Sequence, residues 1–514
     1  MRSGDWVSEK MILTRIILLF MTFGNVCIAV HCPENCNCFK NFGLLDCSNA
    51  FKTIIPDDID SPKFITELVL RGNQIKQLNV DLHQYSSLTY FDINSNGLIN
   101  IEDNSFEHLG KLHTLIMRNN LLSNLSNKTF HGLNNLVSLD ISQNHLTVLL
   151  DNTFQYFPKL LELNLTGNFI HSISDNAFNG LYALDSLHLI SNRLTTIPTV
   201  AFKNVKHLRF LNLQGNNIYH LLNNSFYNNS MLADINIANN NLKIIEDKAF
   251  SGLENSLESL DLNQNYLHVV PTQAFLQLEQ LSKLNLGANR ISVIASNSFY
   301  NLSHLEVLYL NDLNDLTKID GLAFNLTHLR VLHIAFNPLL KYIHPKALYN
   351  LPALKIVYLN NNGIYKFPKH FLPWQNLETL DLSGNFIDCD CDAQWLLDVF
   401  NEISNKKKNF IQKSLCCRSP KHLLDLPVST LKPSDFHCHK LAYGYDTKHH
   451  NRTLVVVILS VCSTVATILI LFSLWHFREK IFPIAQWQSN YERQKNILTI
   501  PQNEEDSLSV DTVA

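Results

Sequence analysis

From Ile65 onward the chain repeats a single pattern of apolar and polar positions, LxxLxLxxNxL. Copies begin at Ile65, Leu88, Leu112, Leu136, Leu160, Leu184, Leu208, Leu232, Leu257, Leu281, Leu305, Leu329, Leu354 and Leu377, fourteen in all, at spacings of 23 to 25 residues. A period of this length is the signature of a stacked array, in which each unit buries its apolar face only against its neighbours. The copy LLELNLTGNFIHSI, starting at Leu160, shows how. Leu163 and Leu165 are two apart, so in an extended strand both point inward while Asn164 and Thr166 point outward. Asn168 falls where the chain must turn, and its amide can satisfy backbone groups that no adjacent strand reaches. Ile170 and Ile173 complete the inner layer. Stacked copies predict a parallel strand ladder at about 4.8 Å spacing, with bulkier chain on the opposite side. The fold class expected is therefore an α/β solenoid that curves, strands on the concave face.

Two further columns keep the same register. Phe106, Phe130, Phe154, Phe178, Phe202, Phe226, Phe250, Phe275, Phe299 and Phe324 recur once per copy and predict a continuous aromatic spine. Asparagine holds its slot in thirteen of the fourteen copies, from Asn73 to Asn385. Copy eleven is the exception, with Leu313 in the slot and Asn314 one residue late; copy twelve keeps Asn337 but has an extra residue before Ile343. Local irregularity is expected there.

The ends of the chain follow other patterns. Ile16 to Val30 is an apolar run behind Lys10 and Arg15, with small Ala29 at a cleavage position, and reads as a secretory signal peptide. Met11 would make a cleaner start than the long segment carrying Asp5 and Glu9. Leu454 to Trp475 is 22 residues without a charge, enough to span a hydrocarbon core of about 30 Å. Arg478 and Lys480 follow it and fit a cytoplasmic side, although Lys448 and Arg452 blur the asymmetry. The expected topology is a single-pass type I protein of the plasma membrane, ectodomain outside. Cysteines cluster as Cys32, Cys36, Cys38 and Cys47 at one end and as Cys389, Cys391, Cys416, Cys417 and Cys438 at the other, with none between Cys47 and Cys389. In a secreted chain such clusters read as disulfide-stapled caps rather than zinc sites.

These caps carry a family resemblance. CPENCNCFKNFGLLDC (Cys32 to Cys47), NFIDCDCDAQWLLDVF (Asn385 to Phe400) and CCRSPKHLLDLP (Cys416 to Pro427) resemble the caps of the extracellular leucine-rich-repeat family of animal cell surfaces. The resemblance implies a leucine-rich-repeat horseshoe with disulfides Cys32–Cys38, Cys36–Cys47, Cys389–Cys417 and Cys391–Cys438. Cys416 is then left over, a departure from the family pattern and a route to a covalent homodimer. The layout is similar to single-pass adhesion and receptor proteins of that family, and the tail after Phe477 is too short for the signalling domain of Toll-like receptors. The expected organisation is a signal peptide at 1–29, N-terminal cysteine cap at 30–64, repeats at 65–388, C-terminal cysteine cap at 389–438, stalk at 439–453, transmembrane helix at 454–475 and cytoplasmic tail at 476–514.

Composition and motifs narrow the function. A formal net charge of −4 argues against a nucleic-acid-binding surface. H-E-x-x-H, G-x-S-x-G and phosphate-cradling glycine loops do not occur, so no catalytic residue, cofactor site or metal site is assigned and an enzyme is not expected. His449–His450 reads as solvated stalk. Eight N-x-S/T sequons predict N-glycans at Asn124, Asn127, Asn164, Asn223, Asn228, Asn301, Asn325 and Asn451, with Asn164 on the concave side. Outward strand positions are mostly small polar or acidic, as at Asp140 and Ser142, Asn212 and Gln214, Asp234 and Asn236, or Asp261 and Asn263. Copies eleven to thirteen differ, with Val307, Val331 and Ile356 in one outward column and Tyr309, His333 and Tyr358 in the next. Exposed apolar and aromatic surface of this kind marks a ligand-binding site, against the plainer reading of drift at a permissive position.

The basic cluster of Lys406, Lys407, Lys408, Lys413, Arg418 and Lys421 suits weak glycosaminoglycan or lipid contact, or simply a solvated loop. In the tail, Tyr491 is a phosphorylation candidate and the terminus Asp511-Thr512-Val513-Ala514 a poor match to a PDZ groove. The function expected is a cell-surface receptor or adhesion molecule that binds an extracellular or cell-surface protein partner through its concave face. The alternative is a membrane accessory subunit modulating another protein in the same membrane.

Overall fold

The computed structural model describes residues 32–59, 61–78, 82–369, 371–406, 415–436 and 465–469. The first unit, which ends at His437, is built around one sheet of sixteen strands. Fourteen parallel strands, from Glu67–Val69 to Thr379–Asp381, each occupy the third to fifth residues of a copy. Neighbouring copies pair residue for residue, as in Leu139, Leu163 and Leu187. Those leucines are fully buried, with Leu165 and Ile170 beside them, and each burial contributes about 2 kcal/mol. The N-terminal cap adds a hairpin, Asn37–Phe39 antiparallel to Leu44–Asp46, whose second strand lies parallel to Glu67–Val69 and covers the first coil.

The buried asparagines bind one coil to the next. Asn168 is 3% exposed. Its Nδ2 donates to Leu165 O in its own coil (3.0 Å) and to Ile141 O in the preceding one (3.1 Å), while its Oδ1 accepts from Leu146 N (3.0 Å). Asn144, Asn192, Asn216, Asn240, Asn265 and Asn289 repeat the arrangement. Coil eleven breaks it. Leu313 fills the slot, fully buried, and Nδ2 of Asn337 in the next coil is buried without a hydrogen-bond partner. The added residue in each of these two coils is taken up by a tight turn, Leu316 N to Leu313 O and Leu340 N to Asn337 O, both 3.0 Å.

On the opposite side from the sheet, the aromatic column is present but segmented. All ten phenylalanines are buried. Ring contacts link Phe106 through Phe202, then Phe226 through Phe275, then Phe299 with Phe324. None is described across Phe202 and Phe226 or across Phe275 and Phe299, so the expected continuous spine is three runs. Both gaps follow a short helix, Thr199–Phe202 or Thr272–Phe275, each entered from a proline. At the equivalent position Ser174 N bonds Leu149 O and Glu246 N bonds Leu221 O, extending small two-stranded ladders. Pro198 and Pro271 have no N–H to give, so the ladder stops and the chain turns helical instead. Ile173, expected in the inner layer, is only half-buried, since the coil that should cover it is the one carrying Pro198.

At both ends disulfides fasten the caps: Cys32–Cys38 and Cys36–Cys47, then Cys389–Cys417. Cys391 is also disulfide-bonded, and its expected partner Cys438 lies outside the described residues. In the second cap, strand Phe386–Asp388 pairs with Cys416–Ser419 beside helix Gln394–Lys406. The Cys416 thiol is pushed up by burial and then by Asp425. The expected signal peptide, stalk and tail lie outside the described residues, as do Asn451, Lys407, Lys408 and Lys413. Of the expected membrane span, 465–469 is described and is helical; among the described residues no helix is long and apolar enough to cross a membrane.

Candidate functional site

The polar outward residues have a structural task that the repeat pattern does not reveal. In eight of the fourteen coils the last strand residue is Asp or Asn, and its side-chain oxygen accepts from the backbone N–H two residues on; coils one, three and six carry Val69, Ile116 and His188 there instead. Asp140 holds Ser142 N (2.8 Å), Asn164 holds Thr166 N (3.1 Å), Asn212 holds Gln214 N (3.0 Å) and Asp261 holds Asn263 N (2.9 Å). Each is an Asx turn that starts the bend out of the sheet. Burial raises the Asp261 carboxyl above the usual range. Ser142, expected to face outward, is 2% exposed and part of this bend. Small polar groups on most of the sheet face are therefore turn caps, not an open ligand surface.

Coils eleven to thirteen give up that cap together. Tyr309, His333 and Tyr358 stand at the capping position and pair in register. Their rings stack, with centroids 4.6 Å apart for Tyr309 and His333 and 4.5 Å apart for His333 and Tyr358, and with interplanar angles of 23° and 18°. Val307, Val331 and Ile356 form the parallel column two residues earlier. All six are half-buried, as outward strand positions are in most coils. Burial pushes the His333 imidazole below its ordinary value. The bend after His333 uses a substitute cap from the preceding coil, Asn311 Oδ1 accepting Ala335 N at 2.8 Å.

Phe336, on the bend after His333, was not singled out by pattern reading. It is 51% exposed and sits at φ +59°, in the slot just before the ladder asparagine. Gly167 (φ +69°) and Asn239 (φ +53°) occupy the same slot elsewhere. A bulky side chain held in the left-handed region costs of order 1–3 kcal/mol and is worth noting near a functional surface. Its signal in the sequence was a phenylalanine where other coils carry Gly, Ala, Asn, Asp, Gln or Ser. Phe210, 41% exposed on the sheet face with Arg209 over its ring at 5.3 Å, is a second missed aromatic, but it stands alone.

The other candidates are dispersed. Asn124, Asn127, Asn223, Asn228, Asn301 and Asn325 are exposed, while Asn164 is half-buried on the sheet face. Arg418 of the basic cluster is engaged: it grips Asp388 through two hydrogen bonds (2.9 and 3.1 Å) and lies 4.4 Å from the Tyr365 ring centre. That grip holds the Asp388 carboxyl below the usual range. Among the described residues no group of three or more His, Cys, Asp or Glu is placed to hold a metal.

A ladder of parallel strands with asparagine-bonded coils and disulfide ends defines a class of interaction scaffold, the leucine-rich-repeat solenoid. Matches to known families agree. A leucine rich repeat family matches residues 86–146, 110–170 and 158–218, and a BspA type leucine rich repeat region of six copies matches 219–355 and 296–392. The chain carries leucine-rich repeats across residues 86–392. Among solved structures it is similar to TLR13 in a TLR13–ssRNA13 complex, at 25% identity and a TM-score of 0.54, covering 73% of this chain and 62% of that one. It is similar in fold to a chain of the LRIM1/APL1C complex, at 19% identity, 84% and 73% coverage and a TM-score of 0.51. The Toll–Spatzle complex of Drosophila matches at 18% identity, 72% and 64% coverage and a TM-score of 0.50.

Proposed function

We propose that this chain is a cell-surface receptor or adhesion molecule that engages a protein partner through the sheet face of coils eleven to thirteen. The observation that carries this reading is the loss of three consecutive Asx caps in favour of one stacked strip, Tyr309, His333 and Tyr358, flanked by Val307, Val331 and Ile356. Elsewhere the cap is missing only from single coils, at Val69, Ile116 and His188, whereas here three neighbouring coils lose it together. A partner covering the strip removes water from apolar area that folding leaves half-covered, with the tyrosines as anchors and Phe336 at the margin. Similarity to TLR13, whose structure is a complex, supports a binding role. An outside location is supported by disulfides at both ends, which persist in oxidising surroundings. Glycans at Asn164 and the exposed sequons belong to the same reading and lie on coils other than those bearing the strip or away from the sheet face.

The test uses the full-length chain displayed on cells and screened against individually expressed ectodomains of secreted and surface proteins. Tyr309→Ala with Tyr358→Ala is expected to weaken binding by at least about a hundredfold, near 2.7 kcal/mol, at unchanged surface level. Full binding by that variant would refute the site. Failure of the wild-type chain to be labelled by a membrane-impermeant reagent would refute the location.

A further inference from the structure

On the flank where coils seven to eleven leave the sheet there is a groove of about 810 Å³. It is separate from the aromatic strip. Its lining comes from the same three positions in successive coils: Asn217, Asn239, Asn241, Gln264, Tyr266 and Arg290 are the exposed members. The ladder residues Asn216, Asn240, Asn265 and Asn289 back it but donate inward, to carbonyls of the core. Coil eleven closes one end with Asp312, Asn314 and Asp315, the segment bearing the extra residue. Four strand spacings across these five coils make the groove about 19 Å long.

We propose that this groove binds a neutral oligosaccharide. Its outward side chains are mainly primary amides, each supplying two donors and one acceptor, the combination that matches neighbouring sugar hydroxyls. Further toward the N-terminus the equivalent amides are engaged. Asn119 Nδ2 donates to Ser95 Oγ (2.9 Å) and Gln143 Oε1 accepts from Arg118 Nε (3.2 Å). Among the described residues no side-chain hydrogen bond occupies Asn217, Asn239, Asn241 or Gln264. One aromatic platform completes the set. Arg290, in the following coil, places its guanidinium 4.8 Å from the centre of the Tyr266 ring, leaving the opposite ring face toward the coil of Asn241. That face suits the C–H side of a pyranose.

Charge decides against an anionic ligand, since Asp312 and Asp315 outnumber Arg290, whose guanidinium is already placed on Tyr266. Burial raises the Asp312 carboxyl, which makes a second anion there less welcome still. A peptide would need apolar recesses for its side chains, and apart from Tyr266 only Ala288 offers carbon surface among the outward members. No sequon falls within the lining residues, so the chain's own glycans leave the groove open. The volume is within the range of small-ligand sites.

The full-length chain is titrated with mannohexaose, cellohexaose and chitohexaose, with a heparin hexasaccharide as the anionic contrast. At least one neutral hexaose is expected to bind with Kd below about 1 mM, and to slow hydrogen exchange in segments 239–241 and 264–266. Affinity is expected to fall at least about tenfold in Tyr266→Ala and in Asn217→Ala with Asn241→Ala, to survive in Tyr266→Phe, and to be untouched by Tyr309→Ala with Tyr358→Ala. Absence of neutral-sugar binding, binding of heparin alone, or protection that maps elsewhere on the wild-type chain overturns the proposal even if a variant fails to fold.

Discussion

Coil five and coil eleven are built on the same template and solve it differently. In coil five, Asn168 joins three backbone groups and Asn164 caps the bend. In coil eleven, leucine fills the asparagine slot, tyrosine replaces the cap and an extra turn absorbs one residue. In the first arrangement both polar atoms of the ladder asparagine side chain have partners. The second leaves Asn337 Nδ2 orphaned in the next coil, at a cost typical of an unmet buried donor. Departures from a consistent local design concentrate where selection acts on something besides stability. The regular coils therefore act as frame, and the irregular ones hold both the aromatic strip and the end wall of the amide groove.

Substitutions that probe each region sharpen this contrast. The largest effect is expected for Phe154→Ala, which opens a cavity among Phe130, Phe157 and Phe178; about 4 kcal/mol is expected from such truncations. Phe299→Ala, with Phe324 as its one described ring neighbour, should cost less. Equal losses by chemical denaturation would show that segmentation of the spine has no energetic meaning. Next comes Asn168→Ala, which strands two carbonyls and one N–H and should cost about 3 kcal/mol. Asn337→Ala removes one acceptor, for Leu313 N at 2.7 Å, and should cost about 1 kcal/mol. A reversed order would contradict the assignment of frame and irregular region.

The smallest effect concerns pH. Burial lowers the His333 imidazole below 6.5, so the unfolded chain takes up this proton first as pH falls. The stability it contributes is complete above 6.5 and is lost as pH drops through the lowered folded value. Around the ring stand Tyr309 and Tyr358 on the adjoining strands, with Glu306, Arg330, Lys355 and Asp381 at the strand margins. Mild acid is expected to loosen coils eleven to thirteen slightly, seen as a lower melting temperature at pH 5.5 than at pH 7 that His333→Phe diminishes. An undiminished shift would place the titration elsewhere.

Much of the frame was legible in the sequence for a simple reason. Leu163, Leu165 and Asn168 each do one thing, and do it in all the coils outside the irregular pair, so their spacing reports their role. Outward residues were harder. Asp140 or Asn212 reads as ordinary surface polarity, and only the geometry of the bend reveals a cap. The aromatic strip could be seen as a column, but its mutual stacking depends on side-chain packing between strands. Pro198 and Pro271 were visible, yet their effect depends on which N–H the neighbouring ladder requires. The groove follows from short amides beside one tyrosine in adjacent coils, a relation across copies that a search within each copy does not find.

Amide hydrogen exchange on the intact chain tests the central contrast most directly, because it reads local opening coil by coil. Segments 138–146 and 162–170, where the asparagine ladder is complete, should be the slower to exchange. Segments 308–316 and 332–340, around Leu313 and the orphaned Asn337, should exchange faster at pH 7 and slow down when a protein partner binds. Uniform protection along all four segments would contradict the division into frame and binding region.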